Sequence, residues 1–132
     1  MSLPRHIRRT PLVASLAVLA LAASASAATF RHTRLVKSEP AANDTLAAAP
    51  KAVKLWFSEK VELGITTVKL ANAAGNDVPL AKLTRDDAVK DAPIVAAISK
   101  PLAAGAYLVS WSTAATDGHP AKGTIPFVVK GK

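Results

Sequence analysis

Two stretches near the C-terminal end, GAYLVSWST (residues 105–113) and TIPFVV (residues 124–129), decide the fold class of this chain. In both stretches large apolar residues alternate with small or polar ones. The residues on the two apolar faces are Tyr107, Val109, Trp111, Ile125, Phe127 and Val129. Because successive side chains of a strand point to opposite faces, this period of two predicts β-strands with one buried and one solvent-facing side.

Shorter apolar runs earlier in the chain predict further strands, separated by turn residues such as Asn43 and Gly75. These runs are Leu35-Val36, 53–58, 66–70 and 94–98. No helical period is sustained after residue 28, although 45–49 and 86–90 each have the composition for one helical turn. Six to eight short strands predict an all-β, antiparallel sandwich or barrel.

Two features of these predicted elements bear on the core and the surface. Trp56 falls on the opposite face of its strand from Leu55 and Phe57, and we expect it to cap an open end of the core, the alternative being partial exposure near a site. Residues 83–92 hold a cluster of acids and are predicted to form an exposed loop.

Residues 1–27 have the pattern of a secretory signal peptide. Arg5, Arg8 and Arg9 form a basic start, residues 12–23 form an apolar centre, and Ala25-Ser26-Ala27 has the small-x-small pattern of a cleavage site. The apolar run is shorter than the ~20 residues that a membrane-spanning helix needs. We therefore predict export to the periplasm, cleavage near Ala27, and one mature domain over residues 28–132.

Composition excludes several classes of function. The net charge of +8 falls to +5 once Arg5, Arg8 and Arg9 leave with the leader, and the remaining lysines are scattered, so no nucleic-acid partner is predicted. The absence of cysteine rules out disulfides, thiolate nucleophiles and Cys-based zinc sites. Met1 is the only methionine, so the mature chain has no thioether ligands for Cu(I).

The candidate site begins in the stretch between the two C-terminal strands. Asp117 and His119 lie two residues apart there, and Gly118 between them allows the chain to turn so that both can reach one ion. A carboxylate and an imidazole suit Cu(II), Zn or Ni, but two ligands do not make a site. The other candidate ligand is His32, at the opposite end of the domain, so the site depends on whether the two ends meet.

Four fragments of the chain, taken in order, resemble the CopC domain, the periplasmic copper-binding domain of bacterial copper-handling systems. The resemblance runs from His32 to the end of the chain. The fragments are His32-x-x-Leu35-Val36-x-Ser38-x-Pro40-Ala41, Val53-x-Leu55-x-Phe57-Ser58-Glu59-x-Val61-Glu62, Leu102-x-x-Gly105-x-Tyr107-x-Val109-x-Trp111 and Asp117-x-His119-Pro120-x-x-Gly123-x-x-x-Phe127.

This resemblance implies a seven-stranded, antiparallel, Greek-key, immunoglobulin-like sandwich or barrel. It also implies a Cu(II) site formed by His32, Asp117 and His119, with Glu59 as a carboxylate close to the metal or an occasional ligand. In the family the α-amine of an N-terminal histidine can add a nitrogen ligand. Cleavage near Ala27 leaves His32 inside the chain, so we expect the amine chelate to be lost or replaced, and Cu(II) binding to be weaker.

The function that the resemblance implies is a monomeric periplasmic Cu(II) carrier or buffer in copper homeostasis or resistance. Such a carrier is not an enzyme, and its partners are the copper ion and a CopD-like inner-membrane protein. Two alternatives remain open from the sequence. One is a copper monooxygenase with a histidine brace, and the other is a metal-free interaction module of the cell envelope that uses the same β-sandwich.

Overall fold

The computed structural model describes residues 32–115 and 117–131, which fold into two β-sheets around one apolar core. The described part of the chain contains eight strands, one 3-10 turn and no α-helix. The strands are β1 Leu35–Glu39, β2 Asp44–Leu46, β3 Ala52–Phe57, β4 Thr67–Asn72, β5 Asp77–Val78, β6 Ile94–Ala97, β7 Gly105–Ala114 and β8 Pro120–Val129, with the 3-10 turn at Leu63–Ile65. The prediction of an all-β sandwich is confirmed.

The first sheet has the order β1-β3-β6 and the second has the order β2-β8-β7-β4-β5. Strands β7 and β8 form the longest pairing, with Gly105 opposite Val129 and Ala114 opposite Pro120. Both strands are ten residues long, so β7 exceeds its alternating stretch by one residue and β8, which begins at Pro120, exceeds its stretch by four. The β7–β8 hairpin therefore runs the length of the second sheet and carries the Asp117–His119 loop at one end.

Two details differ from the predicted seven antiparallel strands. Strand β5 is an eighth strand of only two residues, too short to show a period of two. Strand β2 pairs with β8 in parallel, because the chain crosses from the first sheet to the second after β1 and runs along β8 in the same direction. Backbone bonds from Asn43 N to Pro126 O and from Lys130 N to Leu46 O hold this edge strand, where the composition had also allowed a helical turn.

The core is formed by the apolar faces of both sheets, and it includes all six large apolar residues of the two alternating stretches. Within it Phe57 packs edge-on against Trp111 at 5.1 Å between ring centroids, and Tyr107 stacks on Phe127 at 5.5 Å. Trp56 does not cap the core: it lies half-exposed on the outer face of β3, where Lys37 Nζ stands 4.4 Å from its ring centroid. The reason is the register, which places Trp56 opposite Lys37 of β1.

Residues 83–92 form the exposed loop that the acids predict, except that Arg85 turns inward with its side chain 10% exposed. Its guanidinium donates to Val61 O at 2.6 Å and to Asp87 Oδ1 at 2.8 Å. The predicted signal peptide lies outside the described residues. Among those that are described, no helix has the length and apolar character that crossing a bilayer requires.

Candidate metal centre

The loop between β7 and β8 is a tight turn at the rim of the sandwich. The amide of Gly118 donates to Ala115 O at 2.9 Å, and the amide of Ala115 donates to His119 O at 3.0 Å. Gly118 has a φ of 84°, a conformation that favours glycine over residues with a Cβ. The turn predicted from Gly118 is therefore present, and it sets Asp117 and His119 side by side.

Asp117 holds His119 through two hydrogen bonds. Its Oδ1 accepts the His119 amide at 3.0 Å, and its Oδ2 lies 2.8 Å from His119 Nδ1. The hydrogen bond from the His119 amide, followed by the bond to the His119 ring, holds the pKa of Asp117 below its ordinary value, and His32 contributes to this shift. The carboxylate is therefore charged at neutral pH, and it fixes the orientation of the imidazole from the Nδ1 side.

His32 meets His119 at the same rim. The centroids of the two rings are 5.8 Å apart, and the ring planes are nearly perpendicular at 88°. A bond of about 2.0 Å from a first-row metal to an imidazole nitrogen places two rings that share one ion roughly 4.5–6.5 Å apart between centroids. The observed separation falls within this range, so the two ends of the domain do meet at a distance that one ion can bridge.

The segment after His32 is tied to the end of β3. The amide of Arg34 donates to Ser58 Oγ at 3.1 Å, and the amide of Ser58 donates to Arg34 O at 2.9 Å. Thr33, which is buried, donates its hydroxyl proton to Glu59 Oε1. Sequence reasoning singled out Glu59 and missed Thr33, because a threonine beside a candidate ligand carries no pattern that predicts burial.

Among the four candidate residues, all of which the structure describes, there is one hydrogen-bonded pair and one ring contact, and Glu59 contacts none of the other three. Asp117 contacts His119, Glu59 contacts Thr33 next to His32, and the two imidazoles face each other across the rim. Across residues 32–115 and 117–131, no group of three or more His, Asp or Glu side chains is arranged to hold a metal ion. The structure brings the two histidines together, and it directs both carboxylates toward hydrogen bonds.

The site is open to solvent. The side chains of His119 and Asp117 are 57% and 40% exposed, and His32 is exposed as well. A separate cavity of about 280 Å³ lies between Glu59 and the loop that carries Arg85, and it is not lined by His32, Asp117 or His119. A ligand at the two imidazoles would therefore sit on the surface.

The fold and the site together define a class of protein. Its members are sandwiches of two β-sheets that carry an exposed pair of imidazoles on one rim. Residues 35–130 match the CopC domain, and the chain belongs to that family. The resemblance drawn from the four sequence fragments is confirmed.

Relatives within this family are similar over most of the chain. Copper resistance protein C of Xanthomonas campestris pv. juglandis is 34% identical over 126 residues, which covers 89% of this chain and 95% of the relative. The crystal structure of CopC from Methylosinus trichosporium OB3b has a TM-score of 0.66 at 29% identity, covering 75% of this chain and 94% of that one. PcoC from Escherichia coli, described as a methionine-rich copper resistance protein, has a TM-score of 0.65 at 29% identity, covering 75% and 99%. In contrast to PcoC, this chain has a single methionine, Met1.

Proposed function

We propose that this protein is a periplasmic Cu(II) carrier or buffer that acts in copper homeostasis or resistance. The observation that carries the proposal is the approach of the His32 and His119 rings to 5.8 Å on an exposed rim, in a chain of the CopC family. The names of its relatives as copper resistance proteins support the same function.

The donor set favours oxidised copper. Cu(II) prefers nitrogen and oxygen ligands in a tetragonal arrangement, whereas Cu(I) prefers thiolates and thioethers. His32 and His119 supply two imidazoles and Asp117 supplies a carboxylate, while the chain has no cysteine and no methionine beyond Met1. Of the two copper ions the donor set therefore fits Cu(II), which in this proposal is held by His32, His119 and Asp117.

Asp117 enters the site by exchanging a contact. Its Oδ2 has to leave His119 Nδ1 to bind the ion, while Oδ1 can keep the bond to the His119 amide. Both side chains are substantially exposed, so water can replace the broken hydrogen bond at low cost. Glu59 remains with Thr33 and contributes negative charge from outside the ligand set.

The open rim suits transfer of the ion by ligand exchange, with no bond-making chemistry on a substrate. An incoming ligand can reach the ion directly because the two imidazoles and the carboxylate are exposed. The recipient is a CopD-like protein of the inner membrane, which receives the ion from a monomeric carrier. The predicted leader of residues 1–27 would export the chain to the compartment where this transfer takes place.

The proposal is tested by titrating the exported protein with Cu(II), with its N-terminus defined by intact mass. We expect one tightly bound Cu(II) with nitrogen hyperfine structure in the EPR spectrum. Each of His32→Ala and His119→Ala should weaken binding at least ten-fold, because each removes an imidazole ligand. Asp117→Asn keeps the size of the side chain and removes its charge, and it should weaken binding about 10- to 100-fold whether the carboxylate ligates or orients His119.

Asp77→Asn is the matched control. Asp77 lies in β5, which pairs with the end of β4 that is remote from the loop of Asp117 and His119, so this change should leave copper binding unchanged. A wild-type protein that holds no copper beyond the buffer contradicts the proposal and favours the metal-free interaction module. Equal affinity of the wild type and both histidine variants contradicts the placement of the site.

A further inference from the structure

We propose that Thr33 is a positioning residue of this site, and that its hydrogen bond to Glu59 sets His32 in place opposite His119. The part of this inference that concerns copper rests on the proposed function. The part that concerns the placement of the His32 ring does not, since it is a property of the fold.

The first step is the contrast in burial along the segment. His32 and Arg34 are exposed, whereas Thr33 between them is only 5% exposed. Thr33 is therefore the point at which this segment enters the protein. As a β-branched residue it is restricted about χ1, so holding its hydroxyl also restrains the position of the backbone next to His32.

The second step is the strength of the contact. The Thr33 hydroxyl donates to the Glu59 carboxylate in a partly buried setting. Hydrogen bonds to an ionised acceptor are roughly twice as strong as neutral ones, and partial burial strengthens them further. The two hydrogen bonds between Arg34 and Ser58, one of them accepted by Ser58 Oγ, hold the chain one residue further on, whereas Thr33 is the residue that directly follows His32.

The third step is the consequence for the ligand. A short flexible segment that had to be ordered on binding would lose conformational entropy at that moment and so reduce affinity. Because the Thr33–Glu59 bond orders the segment when the protein folds, this conformational entropy is lost during folding and not when the ion binds. Glu59 then acts on the site through Thr33, which accounts for a carboxylate that contacts the residue next to His32 without joining a ligand group among the described residues.

The test uses Thr33→Val, which keeps the branched shape and removes the hydroxyl, with Thr33→Ser as the conservative control that restores it. The first readout needs no copper: nuclear Overhauser contacts between the His32 and His119 rings in the protein alone. We expect these contacts in the wild type and in Thr33→Ser, and their loss in Thr33→Val with the rest of the spectrum preserved. If Thr33→Val does not fold, Glu59→Ala removes the same bond from the other side and is measured in its place.

The second readout is Cu(II) affinity in a double-mutant cycle with His32→Ala. Thr33→Val alone should weaken binding about ten-fold, the change that corresponds to a net loss of one charge-assisted hydrogen bond. In the His32→Ala background it should cause no further loss, because Thr33 acts only through His32. Additive losses would overturn the inference by showing that Thr33 acts elsewhere.

The two proposals fail in different ways. Retention of the ring contacts in Thr33→Val overturns the positioning role even if the wild type binds copper tightly. Loss of the ring contacts in Thr33→Val supports the positioning role even if the wild type binds no copper, in which case only the proposed function fails.

Discussion

Short polar side chains organise the rim of this protein. Asp117 holds the His119 ring from Nδ1, and Thr33, the residue after His32, donates to Glu59. Neither carboxylate is directed at a common point with the two imidazoles. The main feature of the rim is therefore the approach of the two imidazole rings, and the carboxylates contribute hydrogen bonds and negative charge beside them.

A second residue-scale feature is the absence of a side chain at Gly123. This residue lies opposite Trp111 in the β7–β8 pairing. A Cβ added there would lie 2.8 Å from Trp111 Cζ2 and 2.9 Å from both Cε2 and Nε1. The indole is 8% exposed and packs against Phe57, so it occupies space that any larger residue at position 123 would need.

We expect Gly123→Ala to destabilise the protein by about 1–3 kcal/mol, because the buried indole must shift out of its packed position. Chemical denaturation followed by tryptophan fluorescence measures this loss. Gly64→Ala is the matched control, since a Cβ at Gly64 has no atom within 4 Å. Equal stability of the wild type and Gly123→Ala would show that the core beside Trp111 has room to adjust.

The β7–β8 hairpin is the element that joins the core to the site. Its apolar faces supply most of the second sheet's contribution to the core, and its connecting loop carries Asp117 and His119. At the far end of β7 the Tyr107 hydroxyl donates to Ala103 O at 2.8 Å, which resembles the tyrosine corner of immunoglobulin-like domains. A long, well-anchored hairpin gives the loop a rigid base.

The loop of residues 83–92 is anchored differently, through charge. Asp87 Oδ1 accepts from Arg85 Nε at 2.8 Å and lies 3.1 Å from Lys60 Nζ. The bond from Arg85, followed by the bond from Lys60, holds the pKa of Asp87 below its ordinary value of 3.8. A carboxylate whose pKa is lowered by folding stabilises the folded form above the ordinary pKa, and this contribution is lost as the pH falls through the lowered value.

We therefore expect this loop to loosen only in acid below pH 3.8, the ordinary pKa of Asp87, while it is unchanged across the neutral range. Amide hydrogen exchange of residues 83–92 as a function of pH measures the effect. Asp87→Asn should remove the acid-dependent change, and Asp91→Asn in the same loop should retain it. An identical acid response in Asp87→Asn would assign the loop's stability to other contacts, such as the bond from Arg85 to Val61 O.

At the scale of the whole molecule, the candidate site connects the beginning of the described domain to its last hairpin. His32 precedes β1 in the first sheet, and His119 precedes β8 in the second. An ion bound to both rings would link the two sheets at one rim. Binding should therefore stabilise the complete sandwich, because unfolding separates the two histidines.

A ligand that binds only the folded form stabilises it by about 2.7 kcal/mol at a free concentration of 100 times its Kd. For a domain of this size we expect saturating Cu(II) to raise the Tm by several degrees. Scanning calorimetry with and without Cu(II) measures the shift. His32→Ala should abolish most of it and Asp77→Asn should keep it, whereas an unshifted Tm in wild-type protein that holds copper would mean that the unfolded chain binds the ion equally well and that the two-sheet rim is not needed.

Local patterns in the sequence were sufficient to predict the fold class. The period of two in β3, β7 and β8 depends only on neighbouring residues, and it placed these strands and their buried faces correctly. The same reasoning failed for β2 and β5, which are too short to show a period. For Trp56 the period gave the correct outer face, but the expected capping role was wrong, because its environment depends on its cross-strand partner Lys37.

The sequence by itself determined an all-β chain, the family to which it belongs and the candidate ligands His32, Asp117 and His119. Only the tertiary structure decided that His32 and His119 meet, that Asp117 lies on Nδ1 of His119, and that Thr33 is buried against Glu59. The physical reason is the distance along the chain between the residues that interact. Strand formation follows from side chains that are adjacent in the chain, whereas these contacts depend on which strands pair, in which direction, and at which rim their ends emerge.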